Sequence, residues 1–273
     1  MTREYSANNA SVLETGIDPI VDDNLRQAAE LILAARRERT PIVNLPEKLR
    51  PTTLAEAYRL QDIVISTLGP VGGWKVGAPS PEAEPLCTPM PLLGGYTASG
   101  STVAASFSRL RGIEGEIAFL LDKDLPVRQL PYSREEVVAA IASAHPAIEV
   151  VESAFIDPDQ VDRLSNIGDL QSHGGFVYGP PLANWQSVDL SKESASMIVD
   201  GVVRVDGIAA NSAGTDLLRL VTWLANQGQA RTGGLSRGDW ITTGSWTGKV
   251  LANTASEVTT RFSSFGEVQL YFV

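Results

Sequence analysis

Gly112–Leu121 reads GIEGEIAFLL, and this stretch organises the rest of the chain. It predicts a strand that carries Glu114 and Glu116 two residues apart. Successive side chains of a strand point to opposite faces, so the two acids share one face, roughly 6.6 Å apart along the backbone. Ile113, Gly115 and Ile117 face the other way. Two carboxylates that look into one space repel unless water screens them, a proton is shared, or a cation sits between them. Taken alone, the stretch reads as an antiparallel strand with its polar face in water. Glu149 changes that reading, because PAIEVVES (146–153) is a second β-branched run with one acid set among apolar neighbours. Three carboxylates on two neighbouring strands form a pocket for a hard dication.

Composition narrows what such a pocket serves. The 273 residues carry a formal net charge of −10 with no Lys/Arg cluster, which argues against nucleic acid and against an anionic membrane. Cys87 is the one cysteine, so there is no intramolecular disulfide and no CxxC pair, in keeping with a reducing cytoplasm. The N-terminal MTREYSANNASVLETG has no apolar core of a signal peptide, and no apolar run reaches spanning length. The expectation is a soluble, unexported, cytoplasmic protein.

Residues 1 to about 20 are polar and aperiodic, which predicts a flexible arm or a partner-contacting tail. From Asp22, apolar residues at Leu25, Ala28, Ala29, Leu31, Ile32 and Ala35 predict a helix with acids first and arginines last. PTTLAEAYRLQDIVISTLG (51–69) predicts a second, with Thr53 and Glu56 as a capping box and Gly69-Pro70 as its stop. Residues 1–70 thus read as a helical N-terminal cap, in which Tyr58 is a packing residue, and 71–273 as a β-rich domain. After Pro70, Gly and Pro crowd a loop and edge region around a short strand, Trp74 to Val76, where flanking glycines would let a ligand approach Lys75. YSREEVVAAIASAHP (132–146) predicts a helix capped by Ser133 and Glu136 and ended before Pro146, with His145 at its end. In the turn-rich IGDLQSHGG (167–175), Asp169, Ser172 and His173 are the polar candidates, and no Ser/His/Asp triad is defensible. Further on come a hairpin turning at Asp200-Gly201 and an amphipathic helix, GTDLLRLVTWLANQG, with Gly228 past its end. GDWITTGSWTG (238–248) is a strand running into a turn where Thr243, Gly244 and Ser245 offer donors to a carboxylate. SEVTTRF and EVQLYFV close the chain as two strands, giving an α+β protein with a β-rich core and helices at its margins.

GWKVG, RGIEGEIAFLLDKDLP, PAIEVVES and GDWITTGSWTG, in that order and spacing, resemble the 2-keto-4-pentenoate hydratase and 4-oxalocrotonate decarboxylase group of the fumarylacetoacetate hydrolase superfamily. The resemblance runs from about Thr53 onward and implies a fumarylacetoacetate-hydrolase-like mixed β-sheet core and a metal-binding catalytic domain over 71–273. It implies Mg2+ or Mn2+ on Glu114, Glu116 and Glu149, and an active-site lysine at Lys75. Thr243 and Gly244 fall where that group approaches the substrate carboxylate, with Ser245 beside them. Ser172 and Asp169 match a serine and an acid of its D-N-A-S-C-G segment, in which Leu170 and His173 stand for the Asn and the Cys. Homo-oligomers and small-molecule 2-oxo acid substrates are implied as well.

Around one dication, three carboxylates leave a charge of −1 and about three open positions, two of which a 2-oxo acid fills as a chelate. That adds negative charge, which Lys75 and donors such as Thr243 would balance. Three readings result. One is a metal-dependent lyase that hydrates a 2-hydroxypenta-2,4-dienoate-type acid or decarboxylates an oxalocrotonate-type diacid. Another is an acylpyruvate hydrolase, for which His173 alone could supply the histidine of an acid/base pair. The third is a non-catalytic ligand-binding homologue.

Overall fold

The computed structural model describes residues 18–92, 96–208 and 211–273. All but the last three residues of the expected N-terminal arm lie outside the described residues. Of those three, Pro19 and Ile20 already belong to the first helix, α1 (Pro19–Glu38), and Asp18 is its N-cap, accepting the N–H of Ile20 at 2.8 Å. Leu25, Ala28, Ala29, Ile32 and Ala35 are buried as their spacing predicts. α2 (Leu54–Leu68) is capped by Thr53, which accepts the N–H of Glu56. The Glu56 carboxylate reaches Thr52 instead of closing the box on Thr53, accepting its N–H at 2.7 Å. Both helices share an apolar cluster with Phe155 and Leu170.

Two mixed sheets form the core. The larger contains β1 (Val71–Gly77), β2 (Leu86–Pro91), β3 (Tyr96–Ala98), β5 (Gly112–Leu121), β6 (Ile141–Val151), β7 (His173–Tyr178) and β10 (Trp240–Ser245). Their order is β2-β1-β10-β5-β6-β7-β3, and β11 (Val250–Leu251) also pairs with β5. β2 takes the edge, where Pro89 and Pro91 cost no ladder hydrogen bonds on the open side. In the smaller sheet β4 (Ser101–Val103), β13 (Gly266–Phe272), β12 (Glu257–Phe262), β8 (Ser194–Val199) and β9 (Val202–Ile208) follow one another. β8 and β9 are the expected hairpin, with φ of 55° at Asp200 and 74° at Gly201.

The long helix expected over 132–146 is corrected by the structure. Its capping box is present, with Ser133 and Glu136 bonded reciprocally, but α3 spans only Arg134–Val138, and Ile141 onward is strand. β6 is buried on both faces between β5 and β7, so its long apolar run satisfies tertiary packing that local helix propensity does not foresee. Pro146 and His145 therefore sit inside a central strand. The Pro146 carbonyl accepts the N–H of Gly179 at 2.8 Å, just beyond the Ala147–Tyr178 pair that ends the β6–β7 ladder. A strand residue aims its N–H and C=O to the same side, so the missing N–H of Pro146 falls where that ladder has finished. His145 is buried between Ser143 and the Gly179 carbonyl.

One face of β5 and β6 is wholly apolar. Ile113, Ile148 and Val150 pack against Met197, Val258, Leu270 and other residues of the smaller sheet. Farther along β5, Ile117, Phe119 and Leu121 pack under α5 (Leu217–Asn226). Gly115 lets the sheets meet, since a Cβ there would stand 2.5 Å from Thr260 Cγ2. Gly228 lies just past the end of α5, as expected. Gly228 has φ of −73° and leads into α6 (Gln229–Thr232), which Gly233 ends in the left-handed conformation. The opposite face of β5 and β6 carries the acids, and α4 (Arg163–Gly168) and the turn after it bring the remaining polar candidates beside them.

Candidate metal centre and active-site cavity

Antiparallel pairing of β5 with β6 sets Glu114 directly across from Glu149 and Glu116 across from Ala147. With the strand period of two, this register puts all three glutamates on one face. One carboxylate oxygen from each lies within 4.8 Å of the others. Glu116 and Glu149 are fully buried and Glu114 is partly so.

The three carboxyls are not equivalent. Burial, and then the Glu149 charge, push Glu116 well above the usual carboxylate range, and the same two causes raise Glu114. Burial also opposes ionisation of Glu149, but Lys75 and His173 overrule it and bring its pKa down to about 2. Lys75 Nζ, on β1, donates to Glu149 Oε1 at 2.7 Å and to the Gln171 carbonyl at 3.1 Å. Desolvation would lower the lysine pKa, yet the attraction of the three glutamates raises it, a sign that sequence alone leaves open. The His173 ring, its pKa lowered by burial, has Nδ1 2.9 Å from the same Glu149 oxygen. With Glu149 ionised, Nδ1 carries the proton.

Glu116 Oε1, Glu149 Oε2 and His173 Nε2 are buried and lack a hydrogen-bond partner among the described residues. Buried carboxylate oxygens with unused lone pairs are costly unless a cation takes them up. An all-oxygen donor set of this kind fits a hard dication such as Mg2+. Beside it opens a cavity of about 280 Å³, lined by Lys75, Glu114, Asn166, Gln171, Ser172 and Lys249 among others. A larger hollow of about 420 Å³ is lined in part by Phe119, which faces away from the acids, and by none of the three glutamates.

The other sequence candidates occupy different positions. Asp169 is not in the cavity lining. It is fully buried, accepting from Arg36 Nε at 2.6 Å, Ser153 Oγ at 2.6 Å and the Ala154 N–H at 2.9 Å. Ser172 lines the cavity and accepts from Asn166 Nδ2 at 3.2 Å. Thr243 turns from the acid face and donates to the Ile117 carbonyl at 2.6 Å. Its neighbour Thr242, paired with Ala118 on the acid face, donates to Glu116 Oε2 instead. The same oxygen accepts the Gly244 N–H at 3.1 Å, from a residue whose φ of 90° suits glycine. Ser245 stands opposite Glu116 in the ladder, its Oγ accepting from the Thr247 N–H at 3.4 Å. Thr242, Gln171, Arg36 and Lys249 are absent from the sequence-derived set. The alternation in WITTGS could have singled out Thr242 once one residue was assigned a face, whereas the others meet the site only through the fold.

Comparison with known proteins agrees with this fold. Residues 75–272 match the family described as fumarylacetoacetate (FAA) hydrolase C-terminal. A TodF product hydratase of Pseudomonas putida strain F1 is 29% identical over 233 residues, covering 81% of this chain and 84% of the relative. A 2-hydroxyhexa-2,4-dienoate hydratase of Comamonas testosteroni is 30% identical over 214 residues, covering 73% and 78%. In fold the chain is similar to the 4-oxalocrotonate decarboxylase of Pseudomonas putida G7 complexed with magnesium and adipate, with a TM-score of 0.79 at 24% identity over 92% of this chain and 98% of that one. The mixed sheets, the three glutamates on one sheet face and the match across the β-rich part of the molecule have one conclusion: the chain belongs to the fumarylacetoacetate hydrolase superfamily, in its group of 2-keto-4-pentenoate hydratases and 4-oxalocrotonate decarboxylases.

Proposed function

We propose that the chain is a divalent-metal-dependent hydro-lyase that converts a 2-hydroxypenta-2,4-dienoate-type acid into a 4-hydroxy-2-oxo acid. The observation that carries this reading is the trio Glu114, Glu116 and Glu149 with the Lys75 ammonium bonded to Glu149. The two hydratase relatives support it. Mg2+ or Mn2+ held by the three glutamates would supply Lewis acidity toward the carboxylate and carbonyl oxygens of a 2-oxo acid. Lys75 offsets the added negative charge, and its ammonium gives a proton to carbon 5 of the dienol while the amine so formed takes up the 2-hydroxyl proton, which completes ketonisation before water adds at carbon 4. His173 holds Glu149 in its ionised form and orientation. Asp169 anchors the turn that bears Gln171 and Ser172 through its bonds to Arg36 and Ser153. Gly244 orients Glu116, and Ser172 and Ser245 shape the substrate side of the site, while Thr243 braces β10 against β5 through the Ile117 carbonyl. In this reading 1–70 is the helical cap, 71–273 the catalytic domain, and the enzyme a cytoplasmic homo-oligomer.

Decarboxylation of an oxalocrotonate-type diacid is the second reading, favoured by Lys249. That second cation lines the cavity, held by the exposed Asp159 at 2.5 Å, and would meet a distal carboxylate. An ultraviolet assay with 2-hydroxydienoates, oxalocrotonate and acylpyruvates, with magnesium or with chelator, tests both. Metal-dependent loss of the dienoate with formation of the hydroxy-oxo acid is expected. Turnover of acylpyruvates alone, or of none of the panel, would sink the hydratase reading. Glu114→Gln, Glu116→Gln and Glu149→Gln are each expected to weaken magnesium binding in calorimetry, and unchanged binding in all three would sink the metal assignment.

A further inference from the structure

Leu170, Gln171 and Ser172 are three consecutive non-glycine residues in the left-handed region, with φ of 56°, 48° and 60°. Such a run persists only where its surroundings over-determine it. Here Asp169 is clamped by Arg36 and Ser153, the Leu170 side chain is fully buried, and the Ser172 carbonyl accepts the Glu152 N–H at 2.8 Å. From the other side, the Thr88 hydroxyl donates to Gln171 Oε1 at 2.6 Å.

The polarity of that last bond is set at a distance. Arg231 has only donors to give, and its Nη2 meets Gln61 Oε1 at 2.7 Å. Gln61 Nε2 is therefore the donor end of its amide, and it meets the Ile167 carbonyl at 2.8 Å and Thr88 Oγ1 at 3.1 Å. Thr88 accepts there and donates its one proton to Gln171 Oε1, the arrangement that gives this buried hydroxyl proton a partner among the described residues. Gln61 and Thr88 are completely buried, which keeps water from reversing the chain. With Oε1 committed, the polar group left on the Gln171 side chain is its Nε2, on a residue that lines the cavity beside Lys75 and Ser172.

We propose that Gln171 is a substrate-binding residue: its Nε2 donates to a carboxylate oxygen of the bound 2-oxo acid, oriented for this by the relay Arg231–Gln61–Thr88. The inference rests on a 2-oxo acid occupying this site, as argued under Proposed function. A site built from three carboxylates needs donors that tolerate an anionic ligand, and Gln171 adds neutral ones beside the Lys75 ammonium. Its main-chain carbonyl, turned toward Lys75 by the left-handed backbone, holds that ammonium at 3.1 Å. Thr88 acts through Gln171 and is a positioning residue.

Calorimetry with oxalate as the probe tests the relay, on magnesium-loaded wild type, Thr88→Ser, Thr88→Val and Gln171→Met, with magnesium affinity measured separately. The oxalate Kd is expected to rise about tenfold or more in Thr88→Val and Gln171→Met, the scale of one hydrogen bond to a charged group. Thr88→Ser, which keeps the hydroxyl, is expected to stay within about twofold of wild type. Magnesium affinity is expected to be alike in all four. An unchanged oxalate Kd in Thr88→Val and Gln171→Met overturns the proposal, as does an equal loss of magnesium affinity, which marks a merely structural role. Should Thr88→Val fail to fold, Gln171→Met, at a partly exposed side chain, decides alone. Failure of wild type itself to bind oxalate with magnesium would remove the 2-oxo acid reading as well, and the two failures are thereby distinct.

Discussion

At the scale of single residues, Glu149 and Glu116 are the same chemical group, equally buried, with opposite behaviour. The difference is Lys75 first and then His173, each of which contacts Glu149 and not Glu116. That makes the lysine both the counter-charge of the cluster and, in the proposed reaction, the proton carrier. Lys75→Met removes a positive charge next to the inferred metal ligands while leaving their oxygens in place. Magnesium affinity by calorimetry is therefore expected to hold or tighten, because one like charge fewer opposes the cation. Ketonisation in stopped flow is expected to slow by about 100-fold or more, the lower range for a positioned proton-transfer group. A wild-type rate at saturating magnesium would make Lys75 a counter-ion only.

At the scale of elements, the site exists because β5 and β6 pair in one register, and a slip of one residue would send the acids to opposite faces. Gly115 guards that register by admitting Thr260 of the smaller sheet against the back of β5. Gly115→Ala is expected to destabilise the protein by about 1–3 kcal/mol, the usual cost of overpacking. Adding Thr260→Ser, which deletes the clashing methyl, is expected to restore most of the loss in denaturant midpoints, and strict additivity of the two substitutions would refute the contact. The glutamate face of β5 was legible because alternation is a local property, and Glu149 stood out as one acid in an apolar run. β6 itself was not fully legible. Alanines at 139, 140, 142 and 144 and a capping box at Ser133 favour helix locally, and only burial between two strands decides otherwise. Thr242 was missed for a related reason: alternation gives two faces but does not say which one meets β5's acids. Arg36, Gln171 and Arg231 lie far from the glutamates in sequence, and no spacing rule could bring them there.

At the scale of the whole molecule, a cluster of two buried acids and one partly buried acid beside Lys75 opposes folding unless something neutralises it. The pKa directions give the sign. Glu149 is depressed to about 2, so its contribution to stability is complete above the unfolded carboxylate range and is lost as pH falls toward 2. Glu114 and Glu116 are raised, so their contribution is complete below that range and is lost as pH climbs through it toward their folded values. Chelator-treated protein is therefore expected to lose stability as pH rises above about 5, where the unfolded chain ionises these two acids freely. A bound dication reverses the penalty, because it needs the ionised carboxylates and displaces their protons. Magnesium at about 100 times its Kd is expected to add about 2.7 kcal/mol at any one pH, with the Kd itself tighter at pH 8 than at pH 5.5. At one fixed magnesium concentration, the rise in thermal midpoint over chelator-treated protein should thus be larger at pH 8. Glu116→Gln, which keeps the shape and removes a raised acid, is expected to flatten the pH slope of the chelator-treated protein and to lose most of the magnesium effect. A midpoint indifferent to magnesium at both pH values, in wild type, would mean that the three glutamates hold no cation.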